Sequence, residues 1–242
     1  MNTPTLLVTP EIIASNVIVC GDPGRAERIA GMMDEAREVA ANREYRSFTG
    51  SWKGAPVSVV SHGIGAAGAA ICFEELIRVG AKRIIRVGTA GSYTADLPPG
   101  SLVISVAAAR EDGLTRQLVP SGFPAVADRA IVDALRTAAT GRPVTVGCGI
   151  TLTMDMFYEG AVPFPHHLYK QAGVLAVEME NAALFVIASL RGVQAGAILA
   201  LDGYADADLA KVYNPHTETV QTAVRLEAEI ALDALVQLHK QS

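Results

Sequence analysis

No run of lysine or arginine occurs anywhere in this 242-residue chain, and its formal net charge is −5. A general nucleic-acid binder needs a cationic face to meet phosphates, so no nucleic-acid partner is expected. No apolar stretch approaches the roughly 18 residues that cross a bilayer, and the first residues lack a basic, signal-like region. The expectation is a cytoplasmic protein with no membrane partner. Cysteine is sparse: only Cys20, Cys72 and Cys148, each in an apolar sequence neighbourhood. Buried free thiols in a reducing compartment are expected rather than disulfides. His62, His166 and His167 have no metal-ligand spacing with Cys or Asp, and they read as structural, with no metal. Internal repeats, low-complexity tracts and linker-like segments are missing, so residues 1–242 read as one domain.

What the chain does have is apolar mass: half of its residues are hydrophobic and 19% are charged. Short β-branched runs alternate with helical patterns. Strands are expected at 16–20, 39–41, 45–49, 56–61, 83–87, 102–108, 144–150, 175–177 and 193–201. Helices are expected at 25–33, 67–79, 128–138, 179–191 and 219–240. In the helix at 67–79, Ile71, Leu76 and Val79 would face the core, with Glu74, Glu75 and Arg78 partly outward. Such alternation predicts a layered α/β fold whose strand ends carry function.

Arg86-Val87-Gly88-Thr89-Ala90-Gly91 holds the most chemical information. Arg86 ends an apolar strand, where a guanidinium is costly to bury unless an anion meets it. A glycine-bounded turn at Thr89 would add a hydroxyl and backbone N–H groups beside that charge. Gly21-Asp22-Pro23-Gly24-Arg25 is a second strand-end turn with a basic residue at a helix start, readable as an anion site or as an ordinary Pro-Gly turn. Arg43 is a third cation, with a salt bridge to Glu44 or a neighbour as its alternative. Gly63-Ile64-Gly65-Ala66-Ala67-Gly68 matches a dinucleotide fingerprint. The acidic residue expected about 20 positions on is replaced by Arg83 and Arg86, so a tight turn is preferred to NAD or NADP binding. Glu178-Met179-Glu180 sits where a strand meets a helix. Its carboxylates suit either the helix dipole or a vicinal diol, with the thioether against a sugar face. Asp202 follows five apolar residues, so its pKa should be raised, as a general acid requires; a turn-forming role before Gly203 is the alternative. Phe157 and Tyr158 could stack on a planar base or belong to the core.

Taken in order, these segments resemble the nucleoside phosphorylase family that includes hexameric purine nucleoside phosphorylases and uridine phosphorylases. The resemblance also rests on Asn42-Arg43-Glu44-Tyr45, Ser61-His62-Gly63-Ile64-Gly65, Glu74-Glu75-Leu76 and Asp202-Gly203, and runs from about Val17 to the final helix. It implies a three-layer α/β/α fold with a central mixed, partly barrel-like sheet flanked by helices. It further implies that Gly21, Arg25, Arg86 and Thr89 bind inorganic phosphate, with Arg43 reaching in from a neighbouring subunit of a homo-oligomer, a hexamer built as a trimer of dimers. Met179 and Glu180 would hold the ribose. Ala90, Gly91, Phe157, Val177 and Glu178 would line the base pocket, and Asp202 would hydrogen-bond or protonate purine N7. Phosphate is then a co-substrate and no cofactor is needed.

The arginines favour phosphorolysis over hydrolysis. The Gln-x-Arg pair of uridine-specific members is missing before Val177, and with Asp202 this favours a purine, whereas Thr89 is seen in the uridine branch. Two departures matter. No histidine precedes His62 to meet a ribose 5′-hydroxyl, which admits 5′-methylthioadenosine as a substrate. The arginine that some purine members place a dozen residues after the acid is replaced by Lys211, in a 204–216 loop expected to cover the base. The competing class is a non-catalytic nucleoside-binding protein.

Overall fold

The β-branched runs become the interior strands of one mixed sheet. A computed structural model describes residues 2–207 and 213–241. Its first part runs β1 (Asn16–Cys20), α1 (Pro23–Ala30), β2 (Asp34–Asn42), β3 (Tyr45–Trp52), β4 (Ala55–Ser61), α2 (Ala66–Arg78) and β5 (Arg83–Ser92). Next come β6 (Leu102–Glu111), α3 (Gly113–Leu118), β7 (Ala125–Val126), α4 (Arg129–Ala139) and β8 (Val146–Met154). The last part is α5 (His166–Gln171), β9 (Ala176–Glu178), α6 (Asn181–Arg191), β10 (Gln194–Tyr204) and α7 (Glu218–Lys240).

β10 pairs with β5 in parallel and with β6 antiparallel, which closes β10–β6–β8–β9–β5 into a ring. β1, β4, β3 and β2 extend from β5 as an open wing. The fold is therefore α/β, a mixed and partly closed barrel flanked by helices. Buried residues of α2 and α6, among them Phe73, Leu76 and Phe185, form one core layer with Val17, Val19 and Ile84 of the sheet. Those of α1, α4 and α7, among them Ile29, Ile131 and Leu232, pack with Ile18, Ile85 and Val87. Alternate residues of β1 and β5 thus feed opposite layers, as a strand buried on both faces requires. Each fully buried side chain of this size contributes roughly 1.5–3 kcal/mol.

Several expectations are corrected. β5 continues to Ser92, so Gly88 to Gly91 are not a turn; they are ladder residues facing Leu199 to Gly203 of β10. The helix expected at 25–33 starts at Pro23 and ends at Ala30, and that at 179–191 starts at Asn181. α3 and α5 were not expected, because each is a six-residue piece too short to show a period. Ile71 is 45% exposed instead of facing the core, whereas Glu75 is buried. The Glu75 carboxylate accepts the backbone N–H groups of Thr5 and Leu6, pinning the N-terminal segment on α2. Cys20 and Cys72 are buried free thiols, but Cys148 is exposed.

Candidate active site

The ring and the wing meet above the C-terminal ends of β1, β4, β5 and β10, and a cavity of about 760 Å³ opens there. Arg25 and Arg86 line it with Gly21, Thr89 and Glu180, and Asp202 and Phe157 line it too. Ala90, Gly91, Val177, Glu178 and Met179 are on its walls as well, which leaves Arg43 as the expected residue that is not. Residues spread over 180 positions are thus collected at one place.

Arg86 is buried and held from one side. Its Nη1 donates to Asn181 Oδ1 at 2.9 Å and lies 3.1 Å from Glu178 Oε2, while Nη2 pairs with Glu180 Oε2. Its Nε has no hydrogen-bond partner. The guanidinium lies across Gly88: a Cβ there would sit 2.9 Å from Arg86 Cζ. Glycine at 88 therefore makes room for the cation rather than for a turn.

Both glutamates are committed to this network. Glu178 accepts the backbone N–H groups of Glu180 and Asn181 at 2.7 and 2.8 Å, and the Thr153 hydroxyl. Its carboxylate thus holds the backbone at the start of α6 and faces Arg86. Glu180 Oε1 accepts the Gly65 N–H at 2.6 Å. Burial pushes the Glu180 carboxyl up, but Arg86 and the nearby His62 outweigh it, leaving the group below its ordinary value and ionised. The Gly63-Ile64-Gly65 segment is the tight turn preferred above, with φ of +74° and +92° at its glycines, and its helix N-terminus faces a carboxylate instead of a pyrophosphate.

The helix-dipole reading of Arg25 is corrected as well. Asp22 accepts the N–H groups of Gly24 and Arg25 at 2.8 and 2.9 Å, so the start of α1 already has its anion. Arg25 acts through its guanidinium, which lies 3.6 Å from the buried Glu227 of α7. Arg43 does not line this cavity; it is exposed on the β2–β3 turn at φ +54°, and it pairs with neither Glu44 nor another described residue. Glu44 itself lines the cavity.

Asp202 lies at an irregularity of β10, where the pairing with β5 shifts between Leu201 and Gly203. It is 7% exposed. Burial raises its pKa, partly offset by the hydroxyls of Tyr213 and Thr89 that face it. Tyr213 Oη donates to Asp202 Oδ2 at 2.9 Å. The ring of Tyr213 also fills the space above Gly203, where a Cβ would meet it at 2.9 Å. Lys211 lies outside the described residues. Phe157 is half exposed and edge-on to Tyr158 and Tyr213, which rules out a core role. Tyr158 points out to solvent.

Tyr213, Glu44, His166, Met154 and Met156 line the cavity without having been expected there. His166, read as structural, accepts or donates a 2.7 Å hydrogen bond with Tyr93 Oη beside the cavity. Glu44 had a signal in its place beside Arg43 and Tyr213 in the 204–216 loop expected to cover the base; Met154 and Met156 at and after the end of β8, and His166 at the start of α5, follow no spacing rule.

The description of the phosphorylase superfamily matches residues 16–237. Purine nucleoside phosphorylase of Plasmodium falciparum is 43% identical over 201 residues, 82% of each chain. Uridine phosphorylase of Thermococcus kodakarensis is 41% identical over 204 residues, 79% of this chain and 74% of the relative. Among solved structures, purine nucleoside phosphorylase from Toxoplasma gondii in complex with immucillin-H aligns with a TM-score of 0.95 at 34% identity, over 100% of this chain and 98% of that one. A family match across nearly the whole fold, with the charged cavity at its centre, means that this chain belongs to the phosphorylase superfamily.

Proposed function

We propose that the protein is a nucleoside phosphorylase that cleaves purine nucleosides reversibly to free base and pentose 1-phosphate. The observation that carries this reading is Arg86 paired with Glu180 inside one cavity. An anion and a diol can then be held side by side, with Asp202 facing the same space. Phosphate would bind to Arg25, Arg86, Thr89 and the Gly21 backbone. Glu180 would accept the 2′- and 3′-hydroxyls, and Met179 would pack on the sugar.

The chemistry needs an anion held against a sugar carbon that gains positive charge. A phosphate oxygen forms a bond to the anomeric carbon as the glycosidic bond breaks, and the bonding pair leaves with the base. A proton from Asp202 to N7 neutralises the base; positioned proton transfer of this kind contributes about 10²–10⁴-fold in rate. Burial, which favours the protonated carboxyl, supports that role for Asp202. Phe157 and the Ala90-Gly91 wall would hold the base. Arg43, exposed and without a partner among the described residues, fits a role in a neighbouring subunit's site, hence a homo-oligomer, by resemblance a trimer of dimers. The buried free thiols Cys20 and Cys72 fit a cytoplasmic setting.

A second reading, uridine as the substrate, is favoured by the 41% identity to a uridine phosphorylase. One assay separates the two: release of base from inosine, adenosine, methylthioadenosine and uridine, with and without phosphate. Purine release that requires phosphate is expected. Release without phosphate would overturn phosphorolysis, and uridine as the best substrate would overturn the purine preference. Asp202→Asn should lose most turnover on inosine and retain phosphate binding.

A further inference from the structure

Glu227 is a buried acid behind the cavity that the reaction above does not use. It lies in the middle of α7, fully buried; the backbone N–H groups of Gly88 and Ala200 approach its carboxylate, but neither oxygen has a partner at full hydrogen-bond geometry. An ionised carboxylate in that state is costly unless a cation compensates it. The compensation offered is incomplete. Arg25 Nη1 is 3.6 Å away, too long for a hydrogen bond, and Arg25 Nε is itself buried and unpartnered. Glu227 does not line the cavity, whereas Arg25 does. The guanidinium thus stands between the cavity and the acid.

We propose that Glu227 is a positioning residue that sets Arg25 from behind and takes up a proton when a dianion enters the cavity in front of it. The inference rests on the phosphate-binding reading of Arg25 and Arg86. Without an anion, Arg25 and Arg86 are the charges that favour an ionised Glu227. A bound dianion takes over those charges and faces the carboxylate with two further negative charges at short range. Repulsion in a poorly solvated interior then favours the neutral acid, and a proton from solvent joins the carboxylate.

The surroundings of Glu227 isolate this effect. Arg25 faces it from α1, Arg86 acts on it from β5, and the Cys20 thiol lies nearby on β1. β5 and β10 otherwise present the backbone of Gly88 and Ala200. β3, β4 and α4 turn Phe48, Val57, Val59, Ile131 and Leu135 towards the layer that holds α7. Burial pushes Glu227 up to about 8, while it pushes the Cys20 thiol up to about 12 and the His62 imidazole down to about 4. Proton uptake should therefore be slight well below pH 8 and grow above it.

Sulfate is a suitable probe, because its charge does not change in this range whereas that of phosphate does. Its binding to the wild-type protein and to Glu227→Gln would be followed by calorimetry from pH 6 to about pH 9, in pairs of buffers of different ionisation heat. In the wild type, the dissociation constant should rise above about pH 8, by up to about tenfold per pH unit, with a proton taken up from the buffer. In Glu227→Gln it should stay flat, and no proton should be taken up. If both proteins weaken alike, or the wild type takes up no proton above pH 8, the role of Glu227 is overturned while the anion site stands. If sulfate and phosphate both fail to bind the wild type at any pH, the phosphorylase reading falls with it. Proton uptake by the wild type alone keeps the test decisive even if the variant does not fold.

Discussion

Gly88→Ala tests the anion site without touching a charged residue. No positive φ binds position 88 to glycine, so the strand itself tolerates a methyl group. The obstacle is the Arg86 guanidinium, which the new Cβ would meet at 2.9 Å from Cζ and Nη2 and 3.0 Å from Nη1. Ordinary contact begins at 3.4 Å, so the group must withdraw by about half an ångström. It cannot do so freely, because Glu178, Glu180 and Asn181 grip it together. Weakening one charge-assisted bond costs roughly 1.5–3 kcal/mol. If that loss falls on phosphate, its KM should rise by about 10–100-fold, since 1.4 kcal/mol is tenfold. Nucleoside KM should change less, because Glu180 keeps its bond from the Gly65 N–H. The assay is initial rate against phosphate at saturating nucleoside, beside a thermal melt of each protein. A phosphate KM within about twofold of wild type, at unchanged Tm, would refute the claim that Gly88 makes room for Arg86.

Tyr213→Phe removes a hydroxyl that holds the raised Asp202 pKa down, so the acid should stay protonated to higher pH and the basic limb of the kcat profile should move up. An unmoved limb would detach Tyr213 from proton transfer. Burial lowers His62 from 6.5 to about 4, so the folded protein binds fewer protons than the unfolded chain between those values. Its share of stability is intact above pH 6.5 and is lost as pH falls towards 4; wild type should lose more Tm across that window than His62→Gln. For Glu227 the sign is opposite: with its folded value at about 8 against 4.5, its share is complete below pH 4.5 and lost as pH rises to 8. Glu227→Gln should therefore gain Tm relative to wild type on going from pH 5 to about pH 8, and a constant difference would contradict this. Glu75→Gln weakens the clasp on the Thr5 and Leu6 N–H groups, and should cost about 1–3 kcal/mol in denaturant unfolding.

The sequence made the strands legible because β1 and the first half of β5 are continuous β-branched runs, and parallel strands buried on both faces need such runs. It made the charged groups of the cavity legible because Arg86, Glu180 and Asp202 are charged residues beside apolar runs, where burial demands a partner. The direction of the Asp202 shift followed from the same reasoning, and the structure bears it out. Gly88 to Gly91 misled because glycines in a strand look like a turn when the side chain that needs their space cannot be seen. Glu75 misled because helical period alone turned it outward, while the N-terminal segment that it binds comes from 70 positions away. The loop that carries Tyr213 was legible as a cover for the base, but its hydroxyl contact with Asp202 was not, because no local pattern encodes that meeting.

Three carboxyl groups in and behind this cavity differ in environment rather than in chemistry. Glu180 has a cation in direct contact and a backbone donor, and it stays ionised. Asp202 has two hydroxyls and no direct cation, so burial wins by a margin that those hydroxyls limit. Glu227 has a cation at 3.6 Å and, besides it, the backbone groups of Gly88 and Ala200 short of full hydrogen-bond geometry, so burial wins by more. Across these three the order follows the number and charge of donors each meets; Glu178, raised by burial despite Arg86 and three donors, shows that burial can still win. The order also matches the tasks proposed above. An acceptor for sugar hydroxyls must be ionised at neutral pH, a proton donor to a base must be able to stay neutral, and an acid behind a phosphate must not repel it. Exchanging any two of these environments would leave the same residues at the same places and remove the chemistry, so the site is defined by its donors as much as by its acids.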